Sequence, residues 1–477
     1  MGEEILINVT PRETRVAIVE HSVLQEVYIE RSNKLRLVGN IYKGKVVRVL
    51  PGMQAAFIDI GLERTAFLHE ADMAGSEQPI GINSILREGQ ELLVQVVKDP
   101  VNTKGARLST NLSIASRSLV FVPDLEGVSV SLKIDDSLER DRLKALLTKD
   151  QTETTNGFIV RTVAEGTENL DKDKMYLQKQ WQRIEQKSKL AKCGELLYQD
   201  LSLIFRTFRD LVSNKTERVR IDSAAQLPAI KSFIADFVPD FMGTLEVYSD
   251  ERPLFDMYGI NDEIAKALER KVPLKSGGYL VIDHTEAMTT IDVNTGAFVG
   301  TKNLEETVYR TNLEAAAAIC RQLRLRNVGG IIIIDFIDMH EPEHHEKVLR
   351  TLERELQHDS VKTTISEFSA LCLVQMTRKR TRESLQHCLC EQCPTCHGRG
   401  FVNSVETVVC DVFREIQRSI SLYPAGNVLI IASPPVIEQL LEEESLHIAE
   451  LEKAHAKTIK LQAESIYNPE QYDVVLL

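Results

Sequence analysis

Two segments of this chain each read as a strand that ends in an acid. One is Thr290-Ile291-Asp292-Val293-Asn294-Thr295-Gly296, and the other is Ile331-Ile332-Ile333-Ile334-Asp335-Phe336-Ile337-Asp338. An unpaired carboxylate at the end of a buried strand is costly, so something must hold it. Between the two, residues 304–325 carry a helical pattern. Asn303 with Glu306 forms a capping box at its start, and Asn327 with Gly329-Gly330 ends it. Strands at 279–283, 288–293 and 331–337 around that helix predict an α/β unit with a right-handed crossover.

Side chains alternate faces along a strand, so Asp292 and Asn294 share one face with Thr290. Asp335 shares its face with Ile333 and Ile337, which favours Asp335 over Asp338 as its partner across the sheet. Ligands of open α/β sheets bind outside the carboxyl ends of the strands, where both aspartates fall. Two converging carboxylates suit a hard cation such as Mg²⁺, which keeps several waters and can activate one of them at a phosphodiester. Asn294 could position that water or the phosphate. The alternative is that these acids cap turns or pair with arginines.

The chain has 477 residues and a net charge of −13, with no apolar run long enough to span a bilayer. Its start lacks a signal-peptide pattern, and a soluble cytoplasmic protein of about three domains is expected. The acidic total argues against a nucleic-acid partner, but screening makes local charge decisive. Three stretches run the other way: Arg321 to Arg326, Arg378 to Arg382, and Lys104 with Arg107. Together they suggest nucleic-acid-facing patches. The alternative for each is a solvated face.

Glycine-broken alternating strands between residues 38 and 110 predict a small closed barrel. Phe57 and Phe67 lie on neighbouring strands, where they could stack bases above a basic groove with Lys104 and Arg107, or simply fill the core. Arg161-Thr162 could clamp a phosphate with a guanidinium fork and a hydroxyl. Residues 5–9 and 15–31 read as strands, 137–147 and 343–357 as helices, 371–376 as a strand, and 170–215 as largely helical. Residues 405–477 read as a small α+β tail.

Of eight cysteines, Cys193, Cys320, Cys372 and Cys410 stand apart and are read as buried thiols. Cys388, Cys390, Cys393 and Cys396 are clustered, which favours metal over disulfides in a chain with no secretion signal. Cys393-Pro394-Thr395-Cys396 has the shape of a zinc knuckle. A closed Zn²⁺ site needs four ligands. Cys388 and Cys390 could supply the rest, or two chains could each give Cys393 and Cys396 to one shared zinc.

The assembled motifs resemble the ribonuclease E/G family. They are Gly39-Asn-Ile-Tyr-Lys-Gly44, Pro51-Gly-Met-Gln-Ala-Ala-Phe57, Gly157-Phe-Ile-Val-Arg-Thr162, Leu274-Lys-Ser-Gly-Gly-Tyr-Leu280, Thr285-Glu-Ala-Met-Thr289, Ile291-Asp-Val-Asn-Thr-Gly296, Thr311-Asn-Leu-Glu-Ala315, Arg321-Gln-Leu-Arg-Leu-Arg326, Ile334-Asp-Phe-Ile-Asp-Met339 and Cys393-Pro-Thr-Cys396. The resemblance implies a multidomain α/β endoribonuclease of the shorter type, without a long disordered tail. It implies cleavage of single-stranded A/U-rich RNA with a preference for 5′-monophosphorylated ends, in ribosomal RNA maturation and messenger RNA turnover. It places one Mg²⁺ on Asp292 and Asp335 with Asn294 assisting, and a structural Zn²⁺ on Cys393 and Cys396 of two protomers. The implied assembly is a homodimer or a higher oligomer, with no membrane partner. Arg161, Thr162 and Val120 become the 5′-phosphate site, and Phe57, Phe67 and Lys104 the RNA contacts. The implied divisions are a ribonuclease-H-like subdomain (1–35 with 204–267), an S1, oligonucleotide-binding barrel (36–110), a 5′-sensor region (111–203), a DNase-I-like catalytic subdomain (268–387), a zinc-link (388–403) and a small C-terminal domain (404–477). Cys388 lies outside the family pattern. Two rival readings stand beside this one: an RNA-binding scaffold without cleavage, and a DNA-directed phosphodiesterase.

Overall fold

Leu280, Ile282, Ile291, Val293, Ile332, Ile334, Val374 and Met376 are all buried, and each lies two positions from another. That period makes four strands with one greasy face each. The computed structural model describes residues 2–33, 36–75, 81–100, 104–148, 157–296, 304–422 and 427–477. It divides into two compact units, Met1–Cys388 and Leu389–Leu477. The expected capping residue Asn303 lies outside the described residues.

Within the first unit, a six-stranded sheet runs in the order Lys271–Pro273, Tyr279–His284, Met288–Asn294, Gly330–Asp335, Leu373–Arg378, Thr363–Phe368. The Met288–Asn294 and Gly330–Asp335 strands are parallel neighbours, and the Leu304–Leu325 helix connects them. That helix and Pro342–Leu356 pack on the greasy face, burying Ala315, Ile319, Leu323, Val348 and Leu352. Asn327, with φ +48°, turns the chain out of the first helix. The opposite sheet face is open. Asp292 and Asp335 are therefore exposed, where the sequence reading had buried them.

Five strands close into a barrel: Ile41–Leu50, Ala55–Asp59, Ala66–His69, Arg107–Ser109 and Glu91–Lys98, with the first pairing back onto the last. Gly44 faces its interior, where a Cβ would lie 2.6 Å from Ile58 and 3.1 Å from Val94. A four-stranded sheet (Val128–Val130, Gly157–Val160, Leu119–Val122, Ile114–Ala115) packs Phe121 against Phe158 and against Trp181 of the Asp171–Leu190 helix. Beyond that helix, residues 196–198 form a strand, so the stretch to 215 is less helical than its pattern suggested.

The remaining sheet of this unit joins distant parts of the chain, in the order Thr244–Val247, Thr216–Ile221, Glu3–Val9, Glu13–Glu20, Val23–Arg31. The short strands expected within 15–31 are Glu13–Glu20 and Val23–Arg31, joined at His21-Ser22. Both residues have positive φ (50° and 62°), a hairpin turn with none of the usual Asn or Gly to announce it.

Most arginines of the stretches 321–326 and 378–382 are committed within the fold. Arg378 is buried, forks onto Asp359 at 2.7 and 3.1 Å and donates to the carbonyl of Val328 at 2.8 Å. Arg382 donates to the Val27 carbonyl and lies 3.7 Å from the centroid of the Tyr28 ring. Arg321 donates to the Leu24 carbonyl and Glu263, and Arg324 to Gln25. Arg321, Arg324 and Arg382 clip the six-stranded sheet and its helix onto the Val23–Arg31 strand. Lys379 and Arg380 stay exposed, so of these two stretches only the arginines named above are withdrawn from a nucleic-acid-facing surface.

The second unit has a three-stranded sheet, Ile459–Ala463, Val428–Ala432 and Tyr472–Leu476, with helices Val405–Leu422, Pro434–Glu442 and Ser445–His455. Among the described residues, no helix is long and apolar enough to cross a membrane.

Removing Arg378 would strand the Asp359 carboxylate in the core. Arg378→Ala should cost roughly 3–5 kcal/mol of unfolding free energy, read from denaturant titration, with nucleic-acid affinity unchanged at temperatures where the variant is folded. Weakened affinity at full stability would make Arg378 a ligand contact instead.

Candidate active site

The parallel register places Asp292 directly opposite Asp335, both on the open face. Adjacent strands are about 4.8 Å apart, so the two carboxylates are neighbours without sharing a hydrogen bond. Asn294, two residues on from Asp292, donates from Nδ2 to Asp292 Oδ2 at 2.8 Å. That bond fixes the Asp292 rotamer. Burial, the charge of Asp292 and the charge of Asp338 all push the Asp335 pKa up. Asp338 is exposed one turn of chain beyond and hydrogen-bonds the Cys372 thiol.

Two further residues shape this site, and the sequence reading gave them no role. Asn312 is fully buried; its Nδ2 donates to the Ile337 carbonyl at 2.8 Å and its Oδ1 accepts from the Ile337 N–H at 3.1 Å. This amide clamp holds the backbone between Asp335 and Asp338. Glu305 accepts from the His340 N–H and pairs with the His344 ring, both at 3.1 Å. Burial acts to raise the Glu305 pKa, but these hydrogen bonds win and lower it. Only the Thr311-Asn-Leu-Glu motif hinted at Asn312.

Asp292 and Asp335 offer hard oxygen donors without a cation of their own, a donor set that fits Mg²⁺ held through two carboxylates and water. Among the described residues, no group of three or more His, Cys, Asp or Glu side chains is arranged to hold a metal ion.

Arg161 and Thr162 follow the Gly157–Val160 strand, and Val120 lies on the adjacent antiparallel strand. The Arg161 guanidinium is already engaged. It donates to the Ser116 carbonyl at 2.7 Å and to Asp210 at 2.8 Å. Asp210 also accepts from Arg209, which reaches on to Asp200 at 2.7 Å. Burial alone would raise the Asp210 pKa, yet Arg209 and Arg161 together lower it.

On the barrel, Phe57 stands opposite Phe67 with ring centroids 6.1 Å apart, edge to face. One register row runs Arg48, Phe57, Phe67, Arg107, and these side chains face away from the interior. Arg107 is paired with Asp72 at 2.7 Å. Lys104 is exposed, on a segment that runs so close to residues 65–67 that a Cβ on Gly105 would lie 2.0 Å from the Thr65 carbonyl oxygen.

In the second unit, Cys393 and Cys396 occupy one tight turn, closed by the His397 N–H donating to the Cys393 carbonyl at 2.8 Å. Backbone N–H groups of Cys396 and Thr395 lower the Cys393 thiol pKa, which favours the thiolate a metal binds. The other cysteines depart from the expectation of burial. Only Cys320 is buried; Cys193 and Cys372 are half-buried and Cys410 is exposed.

Residues 113–381 match the Ribonuclease E/G family, and residues 392–476 match the RNase E/G, Thioredoxin-like domain. Ribonuclease G of Escherichia coli (strain K12) is 50% identical over 100% of both chains. Ribonuclease G of Haemophilus influenzae is 49% identical over 99% of both. Ribonuclease E of Escherichia coli is 36% identical over 92% of this chain and 43% of its own.

The raised Asp335 pKa means that ionising this acid costs the folded state stability. The cost is present at neutral pH and disappears as pH falls below the ordinary carboxylate range. Without divalent ions, Asp335→Asn should therefore melt no lower than the parent at pH 7.5, with the two midpoints converging near pH 3.5 in calorimetry.

Proposed function

The chain belongs to the ribonuclease E/G family, and from that membership we propose an endoribonuclease that hydrolyses single-stranded, A/U-rich RNA. The observation that carries this reading is the in-register pairing of Asp292 with Asp335 on an open sheet face, with Asn294 bonded to Asp292. A scaffold without cleavage would have no use for two facing acids, one of them with a pKa raised by burial and by the charge of the other. A preference for 5′-monophosphorylated ends, and roles in ribosomal RNA 5′-end maturation and messenger RNA turnover in the cytoplasm, belong to the same proposal.

Asp292 and Asp335 are the residues that would hold Mg²⁺. When bound, the ion supplies Lewis-acid polarisation of a phosphoryl oxygen and a more acidic water. The chain's own groups do the rest. Asn294 keeps Asp292 aimed and presents its amide oxygen to a water or ribose hydroxyl. Asn312 fixes the backbone beyond Asp335, so the acid pair is preorganised. Phe57 and Phe67 offer rings for bases, beside Lys104, on a barrel we read as S1-type. Arg161, with Thr162 and the Val120 backbone, takes the 5′-phosphate. Because Asp210 holds one edge of that guanidinium, the phosphate engages the donors that remain.

We also read the six-stranded sheet as DNase-I-like and the sheet joining residues 3–31 to 216–247 as ribonuclease-H-like. Cys393 and Cys396 of two protomers would share one Zn²⁺ and make a homodimer, with each knuckle giving half of a tetrahedral site.

Cleavage of a 5′-monophosphorylated single-stranded oligoribonucleotide tests the acid site. Mg²⁺ should be required, and Asp292→Asn or Asp335→Asn should lower the rate at least about 10³-fold while RNA binding persists. In the same assay, Arg161→Ala should erase the rate advantage over a 5′-hydroxyl substrate. Normal turnover by either aspartate variant refutes the metal assignment, and an unchanged rate ratio refutes the sensor. For the zinc, Cys393→Ala with Cys396→Ala should yield metal-free monomers by elemental analysis and light scattering; an unchanged mass rules out the shared site.

A further inference from the structure

The register row that holds the acid pair continues to the sheet edge. Asp335 stands opposite Asp292, Asp292 opposite Val281, and Val281 opposite Lys271. All four side chains lie on the open face, because the alternate positions Val272, Leu280, Ile291 and Ile334 are buried. Lys271 thus starts two strand spacings from Asp292, roughly 9–10 Å. Its ammonium sits 3.6 Å from the centroid of the Tyr279 ring. Tyr279 in turn is opposite Asn294, the residue that aims Asp292. Lys271 forms no ion pair among the described residues, whereas its neighbour Arg270 is committed to Asp283.

A polyanion reaching two carboxylates is repelled unless a cation stands near. Lys271 is a cation on the same row, and the ring holds it without neutralising its charge. We propose that Lys271, seated on Tyr279, binds a backbone phosphate of single-stranded RNA next to the one at the acid pair. Tyr279 is the positioning residue for that ammonium. The subsite rests on the ribonuclease reading of Asp292 and Asp335.

The test uses the full chain and a 5′-monophosphorylated single-stranded oligoribonucleotide. Binding is measured in EDTA across a salt series, and cleavage kinetics with Mg²⁺. Lys271→Gln should raise KM about tenfold, the effect of one charge-assisted hydrogen bond, with a smaller change in kcat. The slope of log affinity against log salt should become shallower by about 0.7, one phosphate contact on a single strand. Lys271→Arg should restore most of both. Tyr279→Leu should reproduce the KM change, and the double variant Lys271→Gln with Tyr279→Leu should be no worse than either single, because the two act as one unit.

An unchanged KM and salt slope in Lys271→Gln, with an unchanged melting midpoint, overturns the proposal. So do fully additive effects of the two substitutions. Asp335→Asn separates the two claims: it should keep the parental salt slope and lose cleavage. If it cleaves normally, the acid-site reading falls, while the salt slopes of the Lys271 variants still decide the phosphate contact.

Discussion

The parallel pairing of Met288–Asn294 with Gly330–Asp335 is the constraint on which the site depends. It does two things at once. Buried residues on one face, Ile291, Val293, Ile332 and Ile334, hold the helices. On the other face the same register brings two like charges together. A shift of one residue would send Asp335 into the core, so the hydrophobic contacts that stabilise the sheet also enforce the repulsion. The folded protein bears that electrostatic cost, and a cation can relieve it.

Asn294 acts on Asp292 itself, while two other supporting residues hold the chain beyond Asp335. Asn312 clamps Ile337, and Glu305 gathers the His340 and His344 end of the next helix. Both come from the helix between the two acidic strands. The crossover that makes the strands parallel therefore also tethers the loop beyond Asp335.

Much of this was legible in the sequence because alternation and strand ends are local signals. The α/β unit, the Leu304–Leu325 helix and the closed barrel followed from spacing alone. The facing of Asp292 and Asp335 followed from placing each at the end of its strand. What failed was everything decided by distant partners. Arg378 and Arg382 look in sequence like an exposed basic run, yet one is buried on Asp359 and the other lies on Tyr28. The Asp210 partner of Arg161 is 49 residues away and carries no pattern. The break at His21-Ser22 was not placed within 15–31 because neither residue is one that turn chemistry favours. Lys271 escaped notice as a lone cation; only the register shows it sharing a row with the acids.

The arginine clips have a consequence for biosynthesis. Arg382 bonds the Val27 carbonyl across 355 residues of chain. At translation rates of about 5–20 residues per second, the hairpin that contains Val27 waits roughly 20–70 s on the ribosome before its binding partner is made. During that interval the Val23–Arg31 strand, an edge of its sheet, is an open template for other chains.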